Sequence, residues 1–285
     1  MKILIVGAGG LVGNALSQRL AGSHDIVALR HLQLDVTDAA AVHTKVSNTR
    51  PDLILNCAAL GVDASEVDPR NAQAVNVTGA QNIAGAANGH GATLVHFSTN
   101  YVFDGTLPRG RFYTADDKAN PPNVYGRTKL DGERAVKSGC ERYFIVRTSW
   151  VFGRGKPSFF GTLPKLLVER RPVRAIRDMW ANATYVNDLV DRVMEIVARG
   201  RFATYHVVDS GVCSYYDFAL ETARVVGLSP AQVAKQVEPV SMAEMNFSAT
   251  RPRHTPMSCK ASLALGLTPL REWRAALPDY VTEFK

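Results

Sequence analysis

The sequence predicts an α/β protein: a doubly wound parallel sheet with a smaller, interwoven C-terminal substrate-binding lobe. Three observations carry that prediction. Apolar runs of strand length alternate with helix-length segments through the first half of the chain, and strands buried on both faces belong to a parallel sheet covered by helices. A glycine cluster, "GAGGLVG" at 7–13, follows the first apolar run and opens a helical pattern. A later apolar run ends on two hydroxyls, Ser98 and Thr99, at the sheet edge where open α/β folds bind ligands.

The elements follow in order. "KILIV" (2–6) reads as the first strand, with a helix to about residue 21. "DIVAL" (25–29) is the second strand, and "LQLDV" (32–36) is a short strand-like piece. Asp38 caps a helix to about Asn48, ahead of Pro51. "DLILNCA" (52–58) is a buried strand. Asp68-Pro69 pairs a cap with proline at the first helical position, and that helix is expected to run to Asn88 and stop at Gly89. "TLVHFS" (93–98) is the next strand, and a loop rich in Gly, Asp and Pro covers 104–123. A helix holds Tyr125 to Val136, and "YFIVRTSW" (143–150) is another strand.

The second half is less regular, with helices near 158–170, 187–199 and 214–226 and a strand at 204–208. It has no repeat, no low-complexity tract and no linker. A woven second lobe is therefore expected: a nucleotide-binding part over 1–150 with a returning segment at about 184–205, and a smaller lobe built from 151–183 and 206–285.

Composition narrows the function classes. A chain of 285 residues buries a large core. No apolar run approaches the ~18 residues of a membrane span, and "MKILIV" reads as a strand rather than a leader, because glycines follow at once. A cytosolic protein without a membrane partner is expected. Cys57, Cys140, Cys213 and Cys259 are scattered, with no CxxC and no histidine cluster beside them, so reduced thiols and no metal are expected. The net charge is +7, and basic residues are densest from Arg154 to Arg177: Arg154, Lys156, Lys165, Arg170, Arg171, Arg174 and Arg177. That segment lacks aromatic interleaving and any DNA-binding motif, which sets nucleic acid aside. A diphosphate ligand would use a few of these arginines, and a solvated basic face accounts for most.

The chemistry sits in three places. In the glycine cluster, Gly7 permits a tight turn, Gly10 lets a pyrophosphate approach the backbone, and Gly13 lets helix and strand pack closely; the spacing is GxxGxxG rather than GxGxxG, with Gly9 also present for the cofactor. Leu11 and Val12 open the helix whose free amides favour an anion. After the second strand, Arg30 and His31 stand where an acidic residue would hold the ribose of NAD; a basic residue there suits a 2′-phosphate and favours NADP. Asp35 and Val36 are placed against the adenine. The third place is Thr99 followed by "NVYGRTK" (123–129), where Tyr125 and Lys129 lie one helical turn apart on one face. Reduction of a carbonyl by hydride needs a proton donor at the oxygen. A phenol with a pKa of about 10 fills that role if a neighbouring ammonium lowers it. Thr99 would hydrogen-bond the reacting oxygen.

With these motifs the sequence resembles the extended short-chain dehydrogenase/reductases, and within them the dTDP-4-dehydrorhamnose reductase family. The resemblance runs almost end to end, through "GAGGLVG", "LDVTD", "PDLILNCAA", "NVTGAQNIA", "FSTNYVFDG", "NVYGRTKLDGE", "RTSWVFG", "TYVNDLV" and "RPRHTPMSCK". It implies a Rossmann-like fold and reduction of the 4-keto group of a dTDP-6-deoxy sugar by NADPH, or by NADH. It further implies Tyr125 as proton donor, Lys129 as its partner and Thr99 as hydroxyl assistant. Asn56, Cys57, Ala58 and Ala59 match the segment facing the cofactor, Tyr101 and Trp150 match the sugar pocket, and Asn100 is expected to contact the substrate beside them. Arg251 would lie near the nucleotide diphosphate. Asn182 and Thr184 are further expected substrate contacts.

Three departures stand out. Asn100 replaces an acid in "STDYVF", "AALGVDASE" (58–66) lacks the family's Tyr and Thr, and "ANATY" (181–185) replaces "GSPTY". They leave open a reductase or epimerase of another nucleotide deoxysugar. A non-catalytic NADP-binding relative, like the methionine adenosyltransferase β subunit, is the alternative from another class. Either a monomer or a homodimer fits.

Overall fold

The computed structural model describes residues 1–155 and 158–284. The first half alternates strand and helix as β1 (Lys2–Val6), α1 (Leu11–Leu20), β2 (Asp25–Leu29), α2 (Ala39–Thr49), β3 (Leu53–Asn56), α3 (Val62–Val67), α4 (Pro69–Gln73), α5 (Gly79–Gly89), β4 (Thr93–Thr99), α6 (Val124–Gly139) and β5 (Tyr143–Thr148). Then come β6 (Val151–Phe152), α7 (Phe159–Val168), β7 (Val173–Ile176), β8 (Thr184–Tyr185), α8 (Val186–Arg199), β9 (Thr204–His206) and α9 (Tyr215–Val226). The chain ends with α10 (Pro230–Gln236), β10 (Val237–Val240), α11 (Lys260–Leu263) and α12 (Trp273–Thr282).

Six strands form one parallel sheet in the order β2-β1-β3-β4-β5-β9. The chain moves outward from β1 to β2 and then crosses back to β3 on the other side of β1. That reversal opens a crevice past the carboxyl ends of β1 and β3, where ligands bind in open α/β sheets. All of β3 and β4 is buried, which accounts for their unbroken apolar runs. One core lies on the α1 and α8 face of the sheet and a second on the α2 and α5 face. The second half has its own aromatic core around Phe152, Phe160, Phe218, Trp273 and Tyr280, beside the short pairs β7–β10 and β6–β8.

The caps explain several boundaries. The Asp38 carboxylate accepts from the Ala41 N–H at 3.0 Å, and the Asp68 carboxylate accepts from the Asn71 N–H at 3.0 Å. The Asn123 side chain accepts from the Gly126 N–H at 2.7 Å and so starts the helix that carries Tyr125 and Lys129.

The structure corrects two expected elements. "LQLDV" is no strand: residues 31–33 form a single 3₁₀ turn. Leu32 is 97% exposed, and Asp35 turns back to accept the Thr37 N–H at 2.9 Å, so no extended edge remains to pair. The helix from Pro69 carries a wide π turn at Ala74–Thr78 before α5. There the Asn76 carbonyl lies against Gly132 of α6, where a side chain would collide, and such turns gather at functional sites. Part of the segment 58–66, which received no element from the sequence, forms the helix α3. The four cysteines are free. The dense basic run is partly paired: Arg154 with the Glu283 backbone and side chain, Lys165 and Arg171 with Glu169, and Arg174 with Glu238. Lys156 lies outside the described residues.

Candidate active site

The glycine turn after β1 is built by close packing. Gly7 sits at φ +79°, and a Cβ there would lie 2.6 Å from the Ala58 nitrogen. A Cβ on Gly13 would lie 2.8 Å from the Ala8 Cα, so α1 can meet the strand only at glycine. Gly10 precedes α1 with no side-chain cap, which leaves first-turn amides for an anion. A cavity of about 340 Å3 runs beside this turn, lined by Gly7, Gly9, Gly10, Asp35, Val36 and Ala58 among others. A second cavity of about 350 Å3 shares Gly10, Cys57 and Ala59 with it. The two adjoin at the N-terminus of α1, where a dinucleotide diphosphate would find free amides.

Leu11, Val12, Thr99, Asn100, Tyr101, Tyr125, Lys129 and Trp150 all line the second cavity. Thr99 arrives from the carboxyl end of β4, and Tyr125 and Lys129 from the first turns of α6. Thr99 Oγ1 accepts the Tyr101 N–H at 3.1 Å and donates toward Asn100 Oδ1 at 3.3 Å. The Tyr101 and Tyr125 rings meet edge to face at 5.7 Å. A third cavity of about 450 Å3 shares Val62 and Tyr101 with the second and holds Arg251, Asp63, Arg174 and Tyr215.

The electrostatics differ from expectation. Burial pushes the Tyr125 phenol up from its ordinary value, and the neighbouring Thr99 hydroxyl pulls the other way. The lysine does not supply the expected lowering, because Lys129 Nζ is turned to the Phe97 carbonyl at 2.7 Å and lies 3.3 Å from His96 Nε2. Lys129 is itself drawn down to about 8, by burial first, against Glu133 and Cys57, which favour its charge. Burial raises the Cys57 thiol, with the Lys129 charge opposing, and raises the Tyr101 phenol to about 12, with Arg251 opposing.

Most of the sequence-predicted site residues come together; Arg30, Asn182 and Thr184 do not. Arg30 is exposed, lines neither cavity of the cleft, and stands at the rim, where a Cβ on Gly9 would lie 3.8 Å from its Cγ. The expected substrate contact of Asn182 is corrected. Its amide nitrogen donates to the Gly211 carbonyl at 2.8 Å and the Asp209 carbonyl at 3.2 Å, and its oxygen accepts the Met257 N–H at 2.8 Å. With both ends occupied, Asn182 ties loops together. Thr184 is likewise fully buried in β8. Ser98 serves structure too, donating to Glu133 Oε1 at 2.5 Å. Arg251 donates to Asp63 Oδ2 at 2.6 Å and stacks on Phe247, while its Nη1 is buried without a partner.

Sequence reasoning missed several neighbours. His96 faces Lys129 from within β4, and Thr148, whose Oγ1 is buried and unpartnered, lines the second cavity. Thr255 accepts from Asn100, and Asp63 comes from the helix α3. A histidine and a threonine inside apolar strands were visible signals; Thr255 and Asp63 had none. Trp150 adopts φ +42°, a conformation unfavourable for a bulky residue, and packs on Tyr215 with ring centroids 4.3 Å apart.

Known proteins share this architecture along the whole chain. A family model described as the RmlD substrate binding domain matches residues 1–285. A dTDP-4-dehydrorhamnose reductase of Mycolicibacterium smegmatis is 40% identical over 98% of this chain and 85% of its own length. A dTDP-4-keto-6-deoxy-D-glucose reductase of Streptomyces niveus is 35% identical over 96% of this chain and 94% of its own. Among solved structures, dTDP-4-dehydrorhamnose reductase of Bacillus anthracis in complex with NADP superposes with a TM-score of 0.93 at 33% identity, covering 99% of this chain and 100% of that one.

Proposed function

The chain belongs to the RmlD substrate-binding-domain family, and from that premise we propose that it is an NADPH-dependent reductase of the 4-keto group of a dTDP-4-keto-6-deoxy sugar, acting on dTDP-4-dehydrorhamnose. The observation that carries the proposal is the gathering of Thr99, Tyr125 and Lys129 on one cavity, between the glycine turn and Trp150. We assign the nucleotide-binding part to the six-stranded sheet and its helices, the sugar-binding lobe to the second half, and the activity to the cytosol.

The residues present fit the cofactor. The uncapped first turn of α1 suits its diphosphate, and the unpartnered Thr148 hydroxyl adds a polar contact in the same cavity. NADPH, when bound, supplies the hydride to the carbonyl carbon. Tyr125 gives its hydroxyl proton to the carbonyl oxygen, leaving a phenolate that is reprotonated from solvent. Thr99 donates to the same oxygen. Lys129 holds the nicotinamide ribose. Arg251, with a buried N–H unpartnered, suits the substrate diphosphate.

A second reading keeps the reaction and changes the sugar. It is favoured by Asn100, a neutral amide 2% exposed at the sugar end of the cavity, and by the Streptomyces niveus relative, whose name carries a different 4-keto sugar.

The test is NADPH oxidation with dTDP-4-dehydrorhamnose generated in situ, in parallel with dTDP-4-keto-6-deoxy-D-glucose. Turnover with the first that falls by about 10²–10⁴ in Tyr125→Phe, with NADPH still bound, supports the proposal. Turnover only with the second moves the assignment to that sugar. NADPH binding without oxidation of either removes the catalytic reading.

A further inference from the structure

Behind the trio of Thr99, Tyr125 and Lys129 stands a buried histidine. His96 lies on β4 with 0% exposure. Its Nε2 is 3.3 Å from Lys129 Nζ, and its Nδ1 is 3.1 Å from Asn56 Nδ2. The Asn56 amide is held in place, because its oxygen accepts the Ala58 N–H at 3.1 Å. The NH2 end therefore faces the ring, and an NH2 group donates. Nδ1 must accept, so the single proton of the neutral imidazole sits on Nε2. That N–H faces Nζ. An ammonium has only donors to offer there, whereas an amine has a lone pair.

Resting on the role given to Lys129 above, we propose that His96 is a positioning residue of the reaction: Asn56 locks it in the Nε2-protonated tautomer, and this N–H disfavours the ammonium of Lys129. Charging the lysine then requires the ring to move its proton to Nδ1 and the Asn56 amide to turn, which releases the Ala58 N–H. Ala58 lines the cavity beside the glycine turn, so the charge of Lys129 is coupled to the backbone that bounds the cofactor cleft.

The surroundings agree. Burial holds His96 neutral, and the Lys129 charge adds to that. The groups facing Lys129 are few. Glu133, one turn further along α6, favours its charge, but that carboxylate is already taken by Arg147 of β5 and by Ser98. Cys57 at the end of β3 is a thiol kept protonated by burial. Tyr125 on the same helix face is a phenol held neutral. The Phe97 carbonyl accepts from an amine as readily as from an ammonium. The Nε2–H is thus the contact that distinguishes the two forms.

Two measurements on the whole protein test this, and neither needs turnover. Long-range proton–nitrogen correlation on histidine-labelled protein at pH 9, with His96 assigned by its loss in His96→Gln, reads the tautomer directly. A proton on Nε2 is expected; a proton on Nδ1 overturns the proposal. The Lys129 side-chain carbon signal, assigned by its loss in Lys129→Met, gives the lysine titration. In His96→Gln the amide oxygen can face Nζ, so the midpoint should rise by about one pH unit; an unmoved or lower midpoint overturns the proposal. Failure of the reductase assay leaves both readouts intact. An Nδ1-protonated ring would sink the inference even in an active reductase.

Discussion

Asn100 Nδ2 donates to Thr255 Oγ1 at 2.7 Å, joining the residue beside Thr99 to the segment that follows Arg251. Both side chains are buried, and the partners are 155 positions apart. The contact ties the carboxyl end of β4, with Thr99, to the lobe proposed to hold the nucleotide sugar. Thr255→Val leaves the Asn100 amide unsatisfied, at a cost of about 1–3 kcal/mol. The KM for the sugar nucleotide should rise at least several-fold while NADPH affinity holds. Steady-state kinetics beside a cofactor titration separates the two, and equal losses would point to general unfolding instead.

Asn100→Asp carries a different expectation. A carboxylate at this 2% exposed position would stand beside Thr99 and disfavour the Tyr125 phenolate. The basic limb of the pH–rate profile should move to higher pH relative to the native enzyme. A profile that stays in place would mean that the new acid is protonated.

Arg30 stands at the rim of the cleft beside Gly9. A charge-assisted contact from this guanidinium to a 2′-phosphate would be worth about 1.5–3 kcal/mol. Arg30→Ala should therefore weaken NADPH at least tenfold and NADH little. Parallel fluorescence titrations with the two cofactors decide it; equal weakening would remove the 2′-phosphate role.

Glu133 and Arg147 form a bidentate pair at 2.9 and 2.7 Å, with side-chain exposures of 1% and 5%. The pair locks α6 to β5 directly behind Lys129. Removing one partner strands a buried charge at a cost of about 3–5 kcal/mol. Glu133→Ala should lower the denaturant midpoint accordingly in equilibrium unfolding.

Asp209 gives a pH-dependent stability. Its carboxyl is pushed up to about 8, by burial first, with the Tyr185 N–H opposing and the nearby Asp188 adding to the rise. One oxygen accepts the Tyr185 N–H at 2.9 Å, and the other is buried without a partner. Because the folded pKa lies above the unfolded one, the stability linked to this proton is complete below about pH 4 and is lost progressively up to about pH 8. Asp209→Asn should melt close to the native protein at pH 4 and increasingly above it as pH rises, levelling off near pH 8. Thermal melts across that range test the sign.

Local signals along the chain locate much of the site. The turn after β1 is readable because Gly7 must take positive φ and Gly13 must lack a side chain, and no tertiary partner changes either need. Tyr125 and Lys129 share a face because a helix has one pitch, and Asn123 caps it locally. The same logic failed at "LQLDV", where alternation matched a strand but the chain closes a 3₁₀ turn and Asp35 turns back onto Thr37, and at Asn182, whose amide is consumed by distant backbone.

By itself, then, the sequence determined the alternation of buried strands and helices, the glycine turn after β1 and the Tyr–Lys spacing, since each depends on chain geometry within a few residues. Tertiary structure alone decided that His96 and Asn56 stand behind Lys129, that Asn100 meets Thr255, and that Arg251 meets Asp63, 188 positions away. Those pairings depend on which strands lie side by side and which loops close over them. Such contacts leave no periodic trace in the chain, because their partners become neighbours only when the sheet and the second lobe pack together.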